Sequence, residues 1–471
     1  MAKLGTESNP ARIAIVGSGP AGFYSAEHLL KAEDVVCEVD VIDRLPTPYG
    51  LVRAGVAPDH PKIKSVTRVY ERTAQRPGFR YFGGVEVGSD VTVDELRAAY
   101  DAVILAYGAS TDRKLGIPGE ELRGSHAATE FVNWYNGHPD FADSEFDLDC
   151  ERAVVIGNGN VAADVTRMLG LTREELEATD TADHAIEALA SSGVREIVLV
   201  GRRGPAQAAF TNPELRELGE MSDADLLLDP AEIELDAASQ EFIDSEDSDP
   251  TNRRNVEILE EMAGREPSGK TRRISLRFCL SPIELTGSDR VEGIVLGRNR
   301  LEADSSGRIS AVDTGEREEL ECGLVFRSIG YRGVPLDGVP FDEERGTVAN
   351  REGRVLAEAD GEQLPGMYAV GWIKRGPSGV IGTNKKDAQE TVENLLTDLR
   401  DGGLPDRSGD EKTLPSLLAE RRPEAIDFEG WQSIDAAEVA NGEPLGRPRV
   451  KFCKVDEMLE AAGNPRPGGG D

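Results

Sequence analysis

Two segments of this 471-residue chain repeat one design, and that design fixes most of what the chain can become. In RIAIVGSGPAGFYSAEHLL an apolar strand, Ile13 to Val16, runs straight into Gly17, Gly19 and Gly22 and then into a helix-periodic stretch. In RAVVIGNGNVAADVTRML the strand Ala153 to Ile156 meets Gly157 and Gly159, with Ala162 in the third small position. Glycines at this spacing permit a tight strand-to-helix turn and let the backbone approach a pyrophosphate. The helix N-terminus then turns its free N–H groups to the phosphates. Each segment therefore predicts a dinucleotide site, and two such sites in one chain predict two cofactors that must meet.

The strand that follows each turn separates the two nucleotides. After the first turn, CEVDVID ends in Asp43, 26 residues beyond Gly17, where a carboxylate accepts from a ribose hydroxyl. After the second, REIVLVGRR ends in Arg202 and Arg203. An acid there would repel a 2′-phosphate, whereas guanidinium groups bind one bidentately. The second nucleotide is accordingly expected to be NADP(H).

Between the units, Val103 to Ala106 is a strand followed by Gly108, a pattern that closes a flavin-binding sheet and leads out to an inserted domain. Arg113 lies just past that crossover, where touching phosphates and capping a loop are equally good readings. GLVFRSIGYRG at 323–333 reads as the return into the first domain. A further strand, Met367 to Val370, leads through a glycine-rich loop into an amphipathic helix whose positive end, near Gly379 to Ile381, suits an anionic reduced flavin. The expected fold is α/β: two Rossmann-like three-layer domains, an FAD domain of residues 1–111 and 327–471 interrupted by an NADP domain of residues 112–326. The tail NPRPGGGD reads as disordered.

Composition excludes other classes. With 53 basic against 87 acidic residues the net charge is −34, which disfavours nucleic-acid binding and suggests a solubility adaptation to a salty cytoplasm. The block 221–252 holds eleven Asp or Glu and no Lys or Arg, and reads as a solvated insertion. No apolar run reaches membrane-spanning length and no h-region precedes the first strand, so a cytoplasmic protein is expected. The five cysteines form no CxxC pair, which argues against a redox dithiol, an iron–sulfur cluster or a structural zinc, and no metal is expected.

GSGPAGFYSAEHLL, PYGLVRAGVAPDHPKIK, GNGNVAADV, VGRRGPAQAAF, FRSIGYRG and GWIKRGPSGVIGTNKKDA together resemble the adrenodoxin reductase-type ferredoxin–NADP reductases, bacterial members included, from Arg12 to about Asp456. The resemblance implies FAD contacts at Ala21, Asp43 (Glu in several relatives), Leu51, Val87, Trp372, Gly379, Val380 and Ile381. It implies NADP contacts at Arg113, Asn158, Gly159, Asn160, Val161, Glu214 and Gly379, with the 2′-phosphate on Arg202 and Arg203. It further pairs His60, in the Pro-bracketed loop APDHPKIK, with Glu217 near the flavin. There a proton or positioning role competes with a loop merely fixed by Pro58, His60 and Pro61.

The expected reaction passes hydride from NADPH to FAD and then single electrons to a ferredoxin. A non-catalytic FAD/NADP-binding redox sensor, or another NADPH-dependent flavin oxidoreductase, is the alternative. Nothing in the sequence demands an oligomer, so a monomer is expected. Ferredoxins are usually acidic, so a docking patch is needed against the long-range repulsion. Arg53, Lys62, Lys64, Arg68, Arg72, Lys374, Arg375, Lys385 and Lys386 are its candidates.

Overall fold

The computed structural model describes residues 3–245, 248–305, 307–405 and 413–464. The tail expected to be disordered lies, beyond Asn464, outside the described residues. The chain divides into two compact units: Met1–Thr111, Asn136–Pro139 and Tyr331–Asp471 form the first, and Asp112–Tyr135 with Asp140–Gly330 the second.

The first unit is built on a seven-stranded sheet in the order Asn350–Arg351, Arg354–Leu356, Gln363–Ala369, Ala102–Leu105, Ala11–Val16, Cys37–Asp43, Phe79–Gly83. The five strands from Gln363–Ala369 onward are parallel; the two short edge strands are antiparallel. Alternation along the first strand splits its side chains between two cores, because successive residues of a strand face opposite ways. Ile13 and Ile15 join Phe23, Leu29 and Leu395 from the helices Pro20–Leu30 and Thr383–Arg400. Ala14 and Val16 join Leu96, Leu414 and Leu418 on the other face. Helices thus cover both faces, the three-layer arrangement that a parallel sheet requires.

The second unit carries a six-stranded sheet, wholly parallel, in the order Ser125–Ala127, Leu324–Arg327, Arg152–Ile156, Glu196–Val200, Arg272–Arg277, Ala224–Leu227. An antiparallel sheet of Leu280–Thr286, Gly293–Ala303 and Ile309–Glu321 packs on one face through Leu280, Leu285, Ile294 and Leu296 against Val154, Ile156, Val198 and Val200. The α/β class therefore holds in both units. Leu324–Arg327, read from sequence as part of the return, is a strand registered on Ala153–Ile156, and the crossing falls at Tyr331 instead.

The acidic block is a correction. Ala224–Leu227 within it is a sheet strand, with Ala224, Leu226 and Leu228 buried. Its carboxylates have structural partners: Asp229, Asp236 and Asp249 cap helices at Ala231, Ser239 and Thr251. Asp225 accepts from the N–H groups of Ser268, Gly269 and Lys270. An acid count alone does not distinguish a cap from a solvated charge.

Candidate functional site

The first glycine turn is shaped by what surrounds it. Gly17 has φ 106°, and a Cβ there would stand 2.6 Å from the carbonyl oxygen of Ala106; a Cβ on Gly22 would stand 2.1 Å from that of Gly17. Gly19, which caps the Pro20–Leu30 helix, instead opens onto free space. The Tyr49–Gly50 segment closes over the turn: both residues have positive φ, 85° and 49°, and a Cβ on Gly50 would approach the Gly19 Cα to 3.1 Å. Tyr49 holds that uncommon conformation buried, edge-on to Trp431, whose indole N–H donates to its hydroxyl at 3.3 Å.

Asp43 ends the second strand, as its sequence position requires, and its carboxylate is engaged within the protein. One oxygen accepts from the N–H and hydroxyl of Ser18 at 2.8 and 2.5 Å, the other from the N–H of Leu45 at 3.0 Å. Burial pushes its pKa up despite these bonds. Ser18, not expected from the sequence as part of the site, is fully buried and gives its carbonyl to Tyr49 N–H.

The remaining candidates of this unit fall on several segments. Leu51 opens a single helical turn, Leu51–Ala54, directly after Gly50. Val87 packs on the second core. Ala21 meets the Gly371–Trp372 turn so closely that a Cβ on Gly371 would lie 2.6 Å from its own. The indole Nε1 of Trp372 is buried and has no hydrogen-bond partner among the described residues. Gly379, with φ 80°, and Val380, 58% exposed, precede Ile381 and the 18-residue helix Thr383–Arg400. His60 caps the short Pro61–Lys64 turn.

In the second unit, a Cβ on Gly157 would stand 2.2 Å from the Ser328 carbonyl oxygen, while Gly159, capping the Asn160–Gly170 helix, again opens onto free space. Asn158 lies over Gly201 with its side-chain Nδ2 buried and without a partner among the described residues. Asn160 spends its Oδ1 on the N–H of Thr211 at 2.8 Å, so its side chain braces the turn; Val161 follows in the helix. Arg202 is exposed and Arg203 half-buried, and neither has a carboxylate partner among the described residues. Burial and the adjacent cations Arg202 and Arg308 push the Arg203 pKa down.

Glu214 and Glu217 share the Asn212–Leu218 helix and one counter-ion. Arg167, itself buried, reaches Glu214 at 3.0 Å and Glu217 at 3.5 Å and also holds Asp164 at 2.7 Å. The Glu214 carboxylate therefore carries an ion pair that its sequence position did not announce. Arg113 is exposed, its N–H bound to the Gly330 carbonyl at 3.1 Å. His60 belongs to the first unit and Glu217 to the second.

Among the cationic docking candidates, Lys64 donates to the Asn136 side chain at 3.5 Å and three others are held in ion pairs. Arg53 forms a buried ion pair with Glu438 and lies 5.3 Å from the Trp431 ring centroid. Lys374 pairs with Asp387 at 3.1 Å and Glu390, and Arg375 with Asp387 at 3.4 Å. Lys62, Arg68, Arg72, Lys385 and Lys386 are exposed. All five cysteines are free thiols. Burial pushes Cys37 and Cys322 up to about 12 and Cys279 and Cys453 up to about 11, away from the thiolate that disulfide chemistry needs.

The family described as pyridine nucleotide-disulphide oxidoreductase matches residues 11–201. NADPH-ferredoxin reductase FprA of Mycobacterium tuberculosis is 52% identical over 96% of this chain and 98% of its own length. The chain belongs to the adrenodoxin reductase-type ferredoxin–NADP reductases. Within this family it is also 42% identical to the mitochondrial NADPH:adrenodoxin oxidoreductase of Arabidopsis thaliana, over 97% of this chain and 96% of that one. The solved structure of the M. tuberculosis reductase in complex with NADPH superposes with a TM-score of 0.91 at 50% identity, covering 96% of this chain and 100% of that one. No helix among the described residues is long and apolar enough to cross a membrane.

Proposed function

We propose that this chain is an FAD-dependent ferredoxin–NADP(+) reductase that takes hydride from NADPH and delivers single electrons to a ferredoxin. The observation that carries this reading is the Arg202–Arg203 pair after the second glycine turn, without a carboxylate partner among the described residues, in a chain that matches NADPH-ferredoxin reductase FprA over 96% of its length.

FAD and NADP(H) are its cofactors, and the residues fit them. Gly19 and Gly159 leave open space at two helix N-termini, where unsatisfied N–H groups attract phosphate. Trp372 Nε1 and Asn158 Nδ2 are buried donors without acceptors among the described residues, and a bound nucleotide relieves the cost of leaving them so. Bound FAD supplies the conversion of a two-electron hydride donor into one-electron deliveries. The protein's own work is positioning. The first unit holds FAD on the Gly17–Gly22 turn, stiffened by Asp43 and Ser18, and on Ala21, Leu51, Val87, Trp372 and Gly379 to Ile381. The second unit holds NADP(H) on Asn158 to Val161, with Arg113 and Glu214, and clamps the 2′-phosphate between Arg202 and Arg203. His60 and Glu217 act as polar positioning residues. The partner is a ferredoxin, and the protein works as a cytoplasmic monomer.

Anaerobic titration of the purified yellow protein with NADPH, and separately with NADH, tests this through the flavin absorbance. Bleaching by NADPH at much lower concentration, followed by ferredoxin-dependent reduction of cytochrome c, is expected. A colourless protein, or no bleaching by either nucleotide, would overturn the reductase reading and leave a non-catalytic nucleotide-binding protein.

A further inference from the structure

The antiparallel sheet of the second unit brings a third arginine to the nucleotide strand end. Asn299, on the Gly293–Ala303 strand, donates its side-chain N–H to the Arg202 carbonyl at 2.9 Å. The Cys279 N–H, at the entry to the same sheet, donates to the Arg203 carbonyl at 3.1 Å. Two residues beyond Asn299, Leu301 lies against Gly204, where a Cβ would stand 3.3 Å from its Cδ1. The strand ends at Ala303, about 7 Å past Leu301, and the chain turns back through Gly307, φ 79°, to Arg308. Two hydrogen bonds of 3.0 Å close this turn, Arg308 N–H to the Asp304 carboxylate and Asp304 N–H to the Arg308 carbonyl. The backbone of Arg308 is therefore fixed while its side chain is exposed.

The other arginines of this hairpin are matched with acids. Arg298 pairs with Glu232 and Glu318, Arg300 with Glu302, and Arg317 with Asp313. Arg308 has no carboxylate among the described residues, and its charge bears on Arg203. Acids outnumber bases 87 to 53 in this chain, so counter-ions were not scarce. Three neighbouring guanidinium groups without an anion repel one another, and the arrangement is relieved only when an anion arrives. A phosphate monoester carries a charge of about −1.5 to −2 at neutral pH, more than one guanidinium offsets.

We infer that Arg308 completes the 2′-phosphate site of NADP(H), reaching from the hairpin turn to the same phosphate that Arg202 and Arg203 hold. This rests on the reading of Arg202 and Arg203 as the 2′-phosphate clamp. It assigns the hairpin a part in selecting the phosphorylated nucleotide, and it makes three side chains from two sheets share one dianion.

Calorimetric titration of the FAD-loaded protein with 2′,5′-ADP and with 5′-AMP tests the assignment, using Arg308→Gln, Arg300→Gln, and Arg202→Gln with Arg203→Gln. Arg308→Gln should weaken 2′,5′-ADP roughly tenfold, the range of one charge-assisted hydrogen bond, and leave 5′-AMP as in the parent protein. Its 2′,5′-ADP affinity should also fall less steeply with salt, because one cation fewer meets the phosphate. Arg300→Gln, matched to Glu302 in the same hairpin, should change neither ligand. Unchanged 2′,5′-ADP affinity in Arg308→Gln, alongside a large loss in the Arg202/Arg203 double variant, overturns the inference and keeps the clamp. An unchanged affinity in that double variant instead overturns the clamp on which it rests. Equal weakening by Arg300→Gln would also overturn it, by showing a general loss of positive field.

Discussion

The carboxylate of Asp43 holds Ser18 by both its N–H and its hydroxyl, so the end of one strand fixes the middle residue of the glycine turn that follows its neighbour. A turn built of glycines has little stiffness of its own. Here the stiffness comes from a buried acid and from the Tyr49–Gly50 segment laid across it.

Asp43→Ala should therefore release FAD. Three accepted hydrogen bonds disappear and two buried donors of Ser18 lose their acceptor, at roughly 1.5–3 kcal/mol for each bond to a charged group. Ser18→Ala, which keeps the backbone bond, should cost FAD roughly tenfold in affinity. Flavin absorbance remaining with the protein after gel filtration measures both. Full retention of flavin by Asp43→Ala would show that the turn keeps its shape unaided.

Asp112 predicts a pH dependence. Burial raises its pKa to about 7, with Arg327 opposing and Glu130 adding to the rise, and the Thr129 hydroxyl donates to it. A folded pKa above the unfolded value of about 3.9 means that the native state binds the extra proton. The stabilisation is then complete below about pH 4 and is lost as pH rises towards 7. Asp112→Asn should match the parent at pH 4 and exceed it at pH 8 by roughly 2–4 kcal/mol. Urea unfolding at the two pH values decides; an equal difference at both would mean that Asp112 is ionised throughout.

Glu438 predicts the opposite sign. It is fully buried between Arg53 and Arg449 and accepts the Phe452 N–H at 2.9 Å. Burial raises its pKa, but the two guanidinium groups and these bonds outweigh that and hold it below the usual carboxylate range. Its stabilisation is present above the unfolded pKa and lost as pH falls. Glu438→Gln should cost about 3–5 kcal/mol, because the largely buried Arg53 loses its counter-charge and Arg449 keeps only Asp435. Chemical unfolding at neutral pH reads this directly, and a loss under 1 kcal/mol would show that water reaches the pair.

The net charge of −34 predicts an unusual salt response. Repulsion of an acidic ferredoxin is screened as the Debye length falls from about 10 Å at 0.1 M to about 3 Å at 1 M salt. Ferredoxin-dependent cytochrome c reduction should therefore accelerate over that range. Charge reversal at Lys62, Arg68 and Arg72 should slow it at low salt while leaving NADPH-driven flavin bleaching unchanged. A rate that falls steadily with salt would instead point to a local cationic patch outweighing the net charge.

Reading along the chain recovers what is local. Both strand–turn–helix units, Asp43 at its strand end, and Arg202 with Arg203 follow from spacing, since a turn of six residues carries its own constraints. What depends on chain return was less legible. The crossing at Tyr331 was hidden because Leu324–Arg327 looks alike in either sheet and only its partner, Ala153–Ile156, decides. Arg167 as counter-ion to Glu214, and Glu438 as counter-ion to Arg53, pair residues 47 and 385 positions apart. Such partners leave no periodic trace, so Arg53 read as a docking cation and the ion pair of Glu214 went unread.

The acidic stretch has one more consequence. Ala224–Leu227 is the outermost strand of the six-stranded sheet, so one of its backbone edges has no strand partner among the described residues. Such edges seed edge-to-edge association unless they are short or charged. This one is four residues long and carries Asp225, with Asp223 and Asp229 on either side. The same carboxylates that cap helices and pin the Ser268–Lys270 loop thus also guard the sheet against growing into a neighbour.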